Sequence, residues 1–213
     1  MYGIERGDGQ KGIVMKEFSL HLLDVSENSM TADADLLIIH IKEDYRNNIL
    51  KIVIKDNGKG MDTDQLKEVT NPFFTTKRSK RVGLGLSLLK ETCERCDGKF
   101  FVDSVPKKGT EIKAQFPLNH IDLPPLGNMA VTIVALILRN LSVDIVYKHE
   151  VDDKIFIMDT REIKRQLGDI PINHPEVIRS VKDQIEKGLI AIGAGKYLDK
   201  WRVDYAKAND TGS

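Results

Sequence analysis

Two glycine clusters and one carboxylate–carboxamide pair hold the residues of this chain whose types and spacing suit chemistry. Gly83-Leu84-Gly85 opens an apolar pattern of helical period. Glycine allows a ligand to approach the backbone closely, and amides at a helix start can hold phosphate oxygens with help from the helix dipole; a plain tight turn uses the same residues. Asp56-Asn57-Gly58-Lys59-Gly60 follows an alternating apolar run. Asp, Asn and Gly are common turn formers, but a carboxylate at the end of such a run can also accept a hydrogen bond from an exocyclic amine. Asp24 and Asn28 stand four residues apart, one turn apart on one helix face. Magnesium takes oxygen ligands and is held by few protein groups plus phosphates, so Asn28 suits a metal and Asp24 suits orienting or deprotonating a water. The alternative is two polar residues on a solvated helix face.

The elements that must position these residues follow from periodicity. Residues 16–34 carry Phe18, Leu22, Val25 and Ser29 at helical spacing. A short apolar strand, 36–41, comes next, and in 49–55 Leu50, Ile52 and Ile54 alternate with Lys51, Val53 and Lys55 as in a strand with one better-buried face. Residues 62–69 form a short helix candidate capped by Asp62 or Thr63, ended by Asn71-Pro72. Residues 73–82 are polar and basic and read as a mobile loop, and a helix from Gly83 to about Cys96 is closed by Asp97-Gly98, with glycine expected in the left-handed terminal conformation. Strands follow at 99–105 and 110–116 around a turn at 106–109. Leu123-Pro124-Pro125-Leu126-Gly127 is the strongest break in the chain. Beyond it lie an apolar helix candidate at 128–140, a hairpin of 143–149 and 154–158, and a final helix from Pro175 with Ile178, Val181, Ile185 and Leu189 as its apolar stripe.

Taken in order, the motifs resemble those of the GHKL ATPases. Glu27-Asn28-Ser29, with Asp24 before it, resembles the N box; Asp56-x-Gly58-x-Gly60 the G1 box; Asn71-Pro72-Phe73-Phe74-Thr75-Thr76-Lys77 the loop before the second glycine box of sensor histidine kinases; Gly83-Leu84-Gly85-Leu86 that G2 box; and Gly109-Thr110 the G-T element entering the last core strand. The resemblance spans roughly 17–118. It implies an α/β (α+β) two-layer sandwich of the Bergerat type, with a mixed, largely antiparallel sheet and helices on one face, plus a C-terminal helix-hairpin-helix extension. The expected organisation is a flexible leader at 1–15, an ATP-binding core at 16–122 and an extension at 123–213 packed on it.

By the same resemblance the cofactors are ATP or ADP and Mg²⁺. Asn28 binds the metal, Asp56 the adenine amine with support from Thr110, and Gly58 and Gly60, beside Met61, make room for the base. Gly83, Leu84, Gly85 and Leu86 hold the phosphates, and Thr75, Thr76 and Lys77 belong to the lid. Asp24 takes the place of the catalytic glutamate of hydrolytic members. One methylene shorter, it implies firm binding rather than fast hydrolysis, since a displacement of about 1 Å costs on the order of a hundredfold.

The expected function is phosphate transfer to a partner protein, or an ATP/ADP-gated contact with one. The 213-residue chain balances 32 Lys and Arg against 32 Asp and Glu, so bulk charge points to neither nucleic acid nor an anionic membrane. No secretory segment or membrane span is legible, which makes a cytoplasmic location the expectation. Helix 128–140 offers a face for a homodimer or, alternatively, for packing on the sheet. Cys93 and Cys96, one helical turn apart, read as partly buried apolar residues rather than half a zinc site. His21 lies inside the first helix and reads as a helix-face residue, not a phosphoacceptor.

Overall fold

The structure is a computed structural model and describes residues 17–30, 32–70 and 85–195. The leader 1–15, the loop 73–82 and the last residues of the chain lie outside the described residues.

The elements run α1 (Phe18–Met30), β1 (Leu36–Asp44), β2 (Ile49–Asp56), α2 (Thr63–Thr70), α3 (Gly85–Arg95), β3 (Lys99–Val105), β4 (Gly109–Pro117), α4 (Met129–Arg139), β5 (Asp144–Val151), β6 (Lys154–Asp159), α5 (Thr160–Leu167) and α6 (Pro175–Ile192). The strands form one sheet in the order β3-β4-β2-β1-β5-β6. Every neighbouring pair is antiparallel except β1 and β5. The parallel step is possible because β4, α4 and their connections carry the chain across from β2 to the free side of β1.

One face of the sheet is apolar at every second residue. Leu37, Ile39 and Ile41 of β1, Leu50, Ile52 and Ile54 of β2, Ala114 and Phe116 of β4, and Ile145 and Tyr147 of β5 are buried there. Phe18, Leu22 and Val25 of α1, Leu86 and Leu89 of α3, Ile133 and Leu136 of α4, and Val181 and Ile185 of α6 close over them in a single core. Each such side chain contributes roughly 1.5–3 kcal/mol by leaving water. The opposite face carries Lys42, Lys51, Lys55, Lys113 and Lys148, together with a His40 Nε2–Glu150 Oε1 pair at 3.0 Å. The fold is the two-layer sandwich with a mixed, largely antiparallel sheet that the motifs imply.

Local chemistry sets the element ends. Asp62 caps α2, its Oδ1 accepting from Asp64 N and Gln65 N, while Gln65 Oε1 accepts from Asp62 N in return. Asn128 Oδ1 accepts from Val131 N and starts α4 at the residue after it. The break around Pro124-Pro125 does more than separate segments. The Pro125 and Leu126 carbonyls accept from Phe18 N and Ser19 N at 2.9 and 2.8 Å, satisfying two of the amides that the start of α1 leaves open.

Two expectations are corrected. The left-handed residue after α3 is Asp97, at φ 51°, not Gly98. Gly98 is required for another reason, since a Cβ there would lie 2.4 Å from the Gln115 carbonyl oxygen. The helix α5 was not anticipated: it is only eight residues long and polar on average, with three of the eight basic, and it is set by the Asp159 cap and by Thr160, whose Oγ1 accepts from Ile145 N at 2.8 Å. Cys93 and Cys96 are free and buried in the core. Burial pushes the Cys93 thiol up to about 12, so it packs as an apolar group.

Candidate nucleotide site

The site lies where the end of β2, the C-terminal half of α1 and the start of α3 meet. The antiparallel register pairs Asp56 with Leu37, so the Asp56 loop emerges beside the start of β1. Asn57 fastens it there: its Oδ1 accepts from Asp35 N and Leu36 N, both at 2.9 Å. The loop is tied to two further turns, through Lys59 N to the Ala32 carbonyl at 2.8 Å and Lys107 N to the Lys59 carbonyl at 2.7 Å.

Asp56 is 6% exposed. Its Oδ1 accepts from Gly58 N at 2.9 Å and from Thr110 N at 3.3 Å, and its Oδ2 accepts from Ser29 Oγ at 2.8 Å. An ionised carboxylate has about four acceptor positions. Three are filled by the protein, and the open one lies on Oδ2. Hydrogen bonds of this number also hold the carboxylate in one orientation.

The glycines of this loop make room first for the protein's own backbone. A Cβ on Gly58 would lie 2.4 Å from the Ala32 carbonyl oxygen, and one on Gly60, at φ 62°, would lie 2.0 Å from the Val105 carbonyl oxygen. Their small size therefore brings the loop against the α1–β1 turn on one side and the β3–β4 hairpin on the other. Met61 N continues the second contact, donating to Ser104 Oγ at 2.9 Å.

Asp24, Glu27 and Asn28 are half-buried along α1. Loss of solvent raises the Asp24 carboxyl above the ordinary range, and the negative charge of Glu27 adds to the rise. Glu27 also faces Arg139 of α4 at 3.3 Å. Gly85, the first residue of α3, is packed on α1 so closely that a Cβ would lie 2.5 Å from the Asp24 Cβ. The start of α3 is thus brought against the turn that carries Asp24. The Leu86 side chain is 4% exposed and belongs to the core, which leaves its backbone amide for any contact at the site.

The structure therefore brings together Asp24, Asn28, Asp56, Gly58, Gly60, Met61, Gly85, Leu86 and Thr110. Thr75, Thr76, Lys77, Gly83 and Leu84 lie outside the described residues. Two participants escaped the sequence reading. Ser29 reads there as part of the apolar stripe of α1 and as the last residue of the N-box triplet, with no contact of its own assigned. Ser104 falls inside the strand read at 99–105 but carries no role there, although its place across a short turn from Thr110, its register partner, was available as a clue.

The model of the histidine kinase-, DNA gyrase B-, and HSP90-like ATPase family matches residues 14–120. The chain belongs to this family. Within it, the chain is 35% identical to sporulation kinase A of Bacillus subtilis over 103 residues, covering 48% of this chain and 16% of that protein. It is 31% identical to sensor histidine kinase ZraS of Escherichia coli O157:H7 over 106 residues, covering 50% of this chain and 23% of that one. The chain thus spans less than a quarter of either relative. Among solved structures it is similar to the catalytic domain of histidine kinase ThkA, at 22% identity and a TM-score of 0.38, covering 46% of this chain and 64% of that one. As a member of the family the chain carries an ATPase domain of histidine kinase type, and the Asp56 loop, α1 and α3 fall inside the matched span. The matched span closes just after β4, yet the sheet does not: β5 pairs with β1 from Leu36↔Asp144 to Glu43↔Val151 and β6 extends it. Among the described residues no helix is long and apolar enough to cross a membrane, and none of their His, Cys, Asp and Glu side chains form a group of three or more able to hold a metal ion.

Proposed function

We propose that the chain binds Mg-ATP at this site and transfers the γ-phosphate to a partner protein. The observation that carries the reading is the buried, fully oriented Asp56 carboxylate with one acceptor position open on Oδ2. An acceptor held in this way suits an exocyclic amine such as that of adenine, and the Thr110 side chain stands beside it. Membership of the family and the kinase names of the relatives support the same reading.

The donor set on α1 fits magnesium. Asn28 offers an amide oxygen, and Asp24 and Glu27 place two carboxylates along the same part of the helix, a local excess of negative charge that also raises Asp24. Such hard oxygen donors suit a cation that keeps several waters and shares its shell with phosphates. When bound, the ion neutralises charge on the β- and γ-phosphates. Asn28 would hold it, the amides at the start of α3 would be available to the phosphate oxygens, and Asp24 would orient the attacking group by accepting a hydrogen bond from it. Residues 16–122 form the nucleotide-binding unit in this reading, and 123–213 an extension that continues its sheet. The protein works in the cytoplasm as a signalling component.

Asp24 in place of a glutamate favours a second reading, in which the chain turns ATP over slowly and changes its grip on a partner between the ATP and ADP states. A nucleotide shifts such an equilibrium only by its differential affinity for the two states. A single-turnover assay with γ-labelled ATP and Mg²⁺, with and without host lysate, separates the two. Label arriving on one lysate protein, and lost with Asn28→Ala, establishes transfer. Bound ATP that stays intact, with partner affinity differing between ATP and ADP, establishes the switch. Failure to bind ATP overturns both.

A further inference from the structure

We propose that the outer face of α4 is an interface for a second copy of this chain, whose own α4 packs on it antiparallel about a two-fold axis between Val134 and Ala135. α4 lies beyond the matched span of 14–120, and the inference does not depend on what the nucleotide site binds.

From Met129 to Leu138 the one polar side chain of α4 is Thr132, and its Oγ1 donates back to the Asn128 carbonyl at 3.1 Å. A helix that is apolar all round is expected to be buried all round. Here the sheet takes one side, where Ile133, Leu136 and Ile137 enter the core, and leaves the other. Val131 is 48% and Leu138 49% exposed, with Val134 and Ala135 half-buried between them and Leu141 exposed just past the helix end. Val131, Val134, Leu138 and Leu141 follow one another at spacings of three, four and three residues. That is the spacing of a seam that packs on another helix, and an exposed apolar patch of this kind marks an interaction site.

The seam is complementary to itself reversed. About an axis between Val134 and Ala135, Val131 meets Leu138 of the partner subunit and Leu138 meets Val131, while Val134 faces the small Ala135. The charges at the two ends agree with this direction. α1 and α4 run side by side the same way, joined through the Pro125 and Leu126 carbonyls at their starts and through Glu27 and Arg139 at their ends. At the start stands Glu17, packed against Gly127, where a Cβ would lie 2.0 Å from its Oε2. Glu17 accepts from Ser19 Oγ at 3.0 Å and meets no cation among the described ion pairs. At the far end the Arg139 side chain is 63% exposed and reaches Glu27 through one nitrogen, which leaves further donors of its guanidinium open. Antiparallel pairing carries Arg139 to the end of the partner subunit where Glu17 stands, and symmetry repeats the pair. With a formal net charge of zero, two copies do not repel each other in bulk.

Sedimentation velocity over a concentration series of the full chain tests this. The seam is short, so the wild type should be a weak dimer, with a dissociation constant between about 1 and 100 µM. Leu138→Lys should weaken it at least about a hundredfold, because symmetry places the change in the interface twice. Val131→Lys, at the other end of the seam, should act alike, so the test stands if one of the two fails to fold by circular dichroism. Arg139→Glu and Glu17→Arg should each weaken the dimer by about three- to tenfold, and the double charge swap should recover most of that loss. A wild type that is monomeric at about 100 µM overturns the inference and leaves the seam to another segment of the chain or to a different protein. A dimer that survives both lysine variants places the interface elsewhere. A double swap no tighter than its single parents overturns the antiparallel pairing.

Discussion

Ser29 Oγ donates to Asp56 Oδ2 at 2.8 Å, joining the residue after Asn28 on α1 to the carboxylate at the end of β2. The helix that carries Asn28 and the loop that carries Asp56 are therefore one mechanical unit. Serine can also accept a hydrogen bond. In Asp56→Asn the amide oxygen can keep Gly58 N and Thr110 N while its NH₂ donates to Ser29, so the fold should survive with a loss of about 1 kcal/mol or less. The open acceptor disappears with the change. ATP affinity should fall at least about tenfold, an expectation that calorimetry beside a urea melt can check.

Asp24 touches the packing between α1 and α3 but its carboxyl is half-buried and faces no cation among the described ion pairs. In Asp24→Asn the shape is kept and the carboxylate proposed to orient the attacking group is lost. Loss of the γ-phosphate from bound ATP should slow by roughly a hundredfold, with ATP affinity within a factor of about three. Equal loss of affinity and turnover in single-turnover traces would assign Asp24 to binding instead.

Gly60 is at φ 62° with the Val105 carbonyl oxygen 2.0 Å from where a Cβ would stand. Alanine adds the left-handed penalty of about 1–2 kcal/mol and forces the β3–β4 hairpin away from the loop. Gly60→Ala should therefore reduce unfolding free energy by at least about 2 kcal/mol in urea titration. Preserved stability would show that the loop and hairpin are not held in this contact.

His21 of α1 is 1% exposed, and neither of its ring nitrogens has a hydrogen-bond partner among the described residues. Burial, and then the charge of Arg95, lowers its pKa from 6.5 to about 4. The folded protein refuses a proton that the unfolded chain accepts, so this contribution is full above pH 6.5, declines as pH falls, and is gone near pH 4. The loss amounts to about 3 kcal/mol at most. His21→Leu, which also removes two unmatched polar atoms, should raise stability at pH 7 and flatten its decline on acidification, read as urea midpoints between about pH 4 and 7.

At the other end of β1, Glu43 is buried and gathers three groups. His149 Nε2 lies 2.8 Å from its Oε1, Tyr45 donates to Oε2, and Gly195 N donates to both oxygens, while Tyr147 meets His149 Nδ1 at 2.6 Å. The cluster ties β1 to β5 and to the turn after α6. Glu43→Leu leaves the buried His149 Nε2 without its partner, and the melting transition should drop by an amount corresponding to about 3–5 kcal/mol. Exchange protection of the β5 amides should fall with it.

The sequence by itself determined the kinds of element and the order of the motifs. Alternation in β1, β2, β4 and β5, and the helical stripes of α1 and α6, record which face of each element must leave water, and that record is local. Asp56-x-Gly58-x-Gly60 and Asp24 with Asn28 were likewise legible, because each lies within one turn or one loop. Only the tertiary structure decided what those residues touch. Ser29 and Asp56 are 27 residues apart, Ala32 limits Gly58 across a turn, and Ser104 reaches Met61 from another strand; none of these contacts leaves a period in the sequence. The same holds for the parallel pairing of β1 with β5, which makes one sheet of two segments divided by the chain's strongest break. A strand pattern specifies the face that is buried but not the neighbour that shares its hydrogen bonds, and that neighbour is chosen by the packing of the whole molecule.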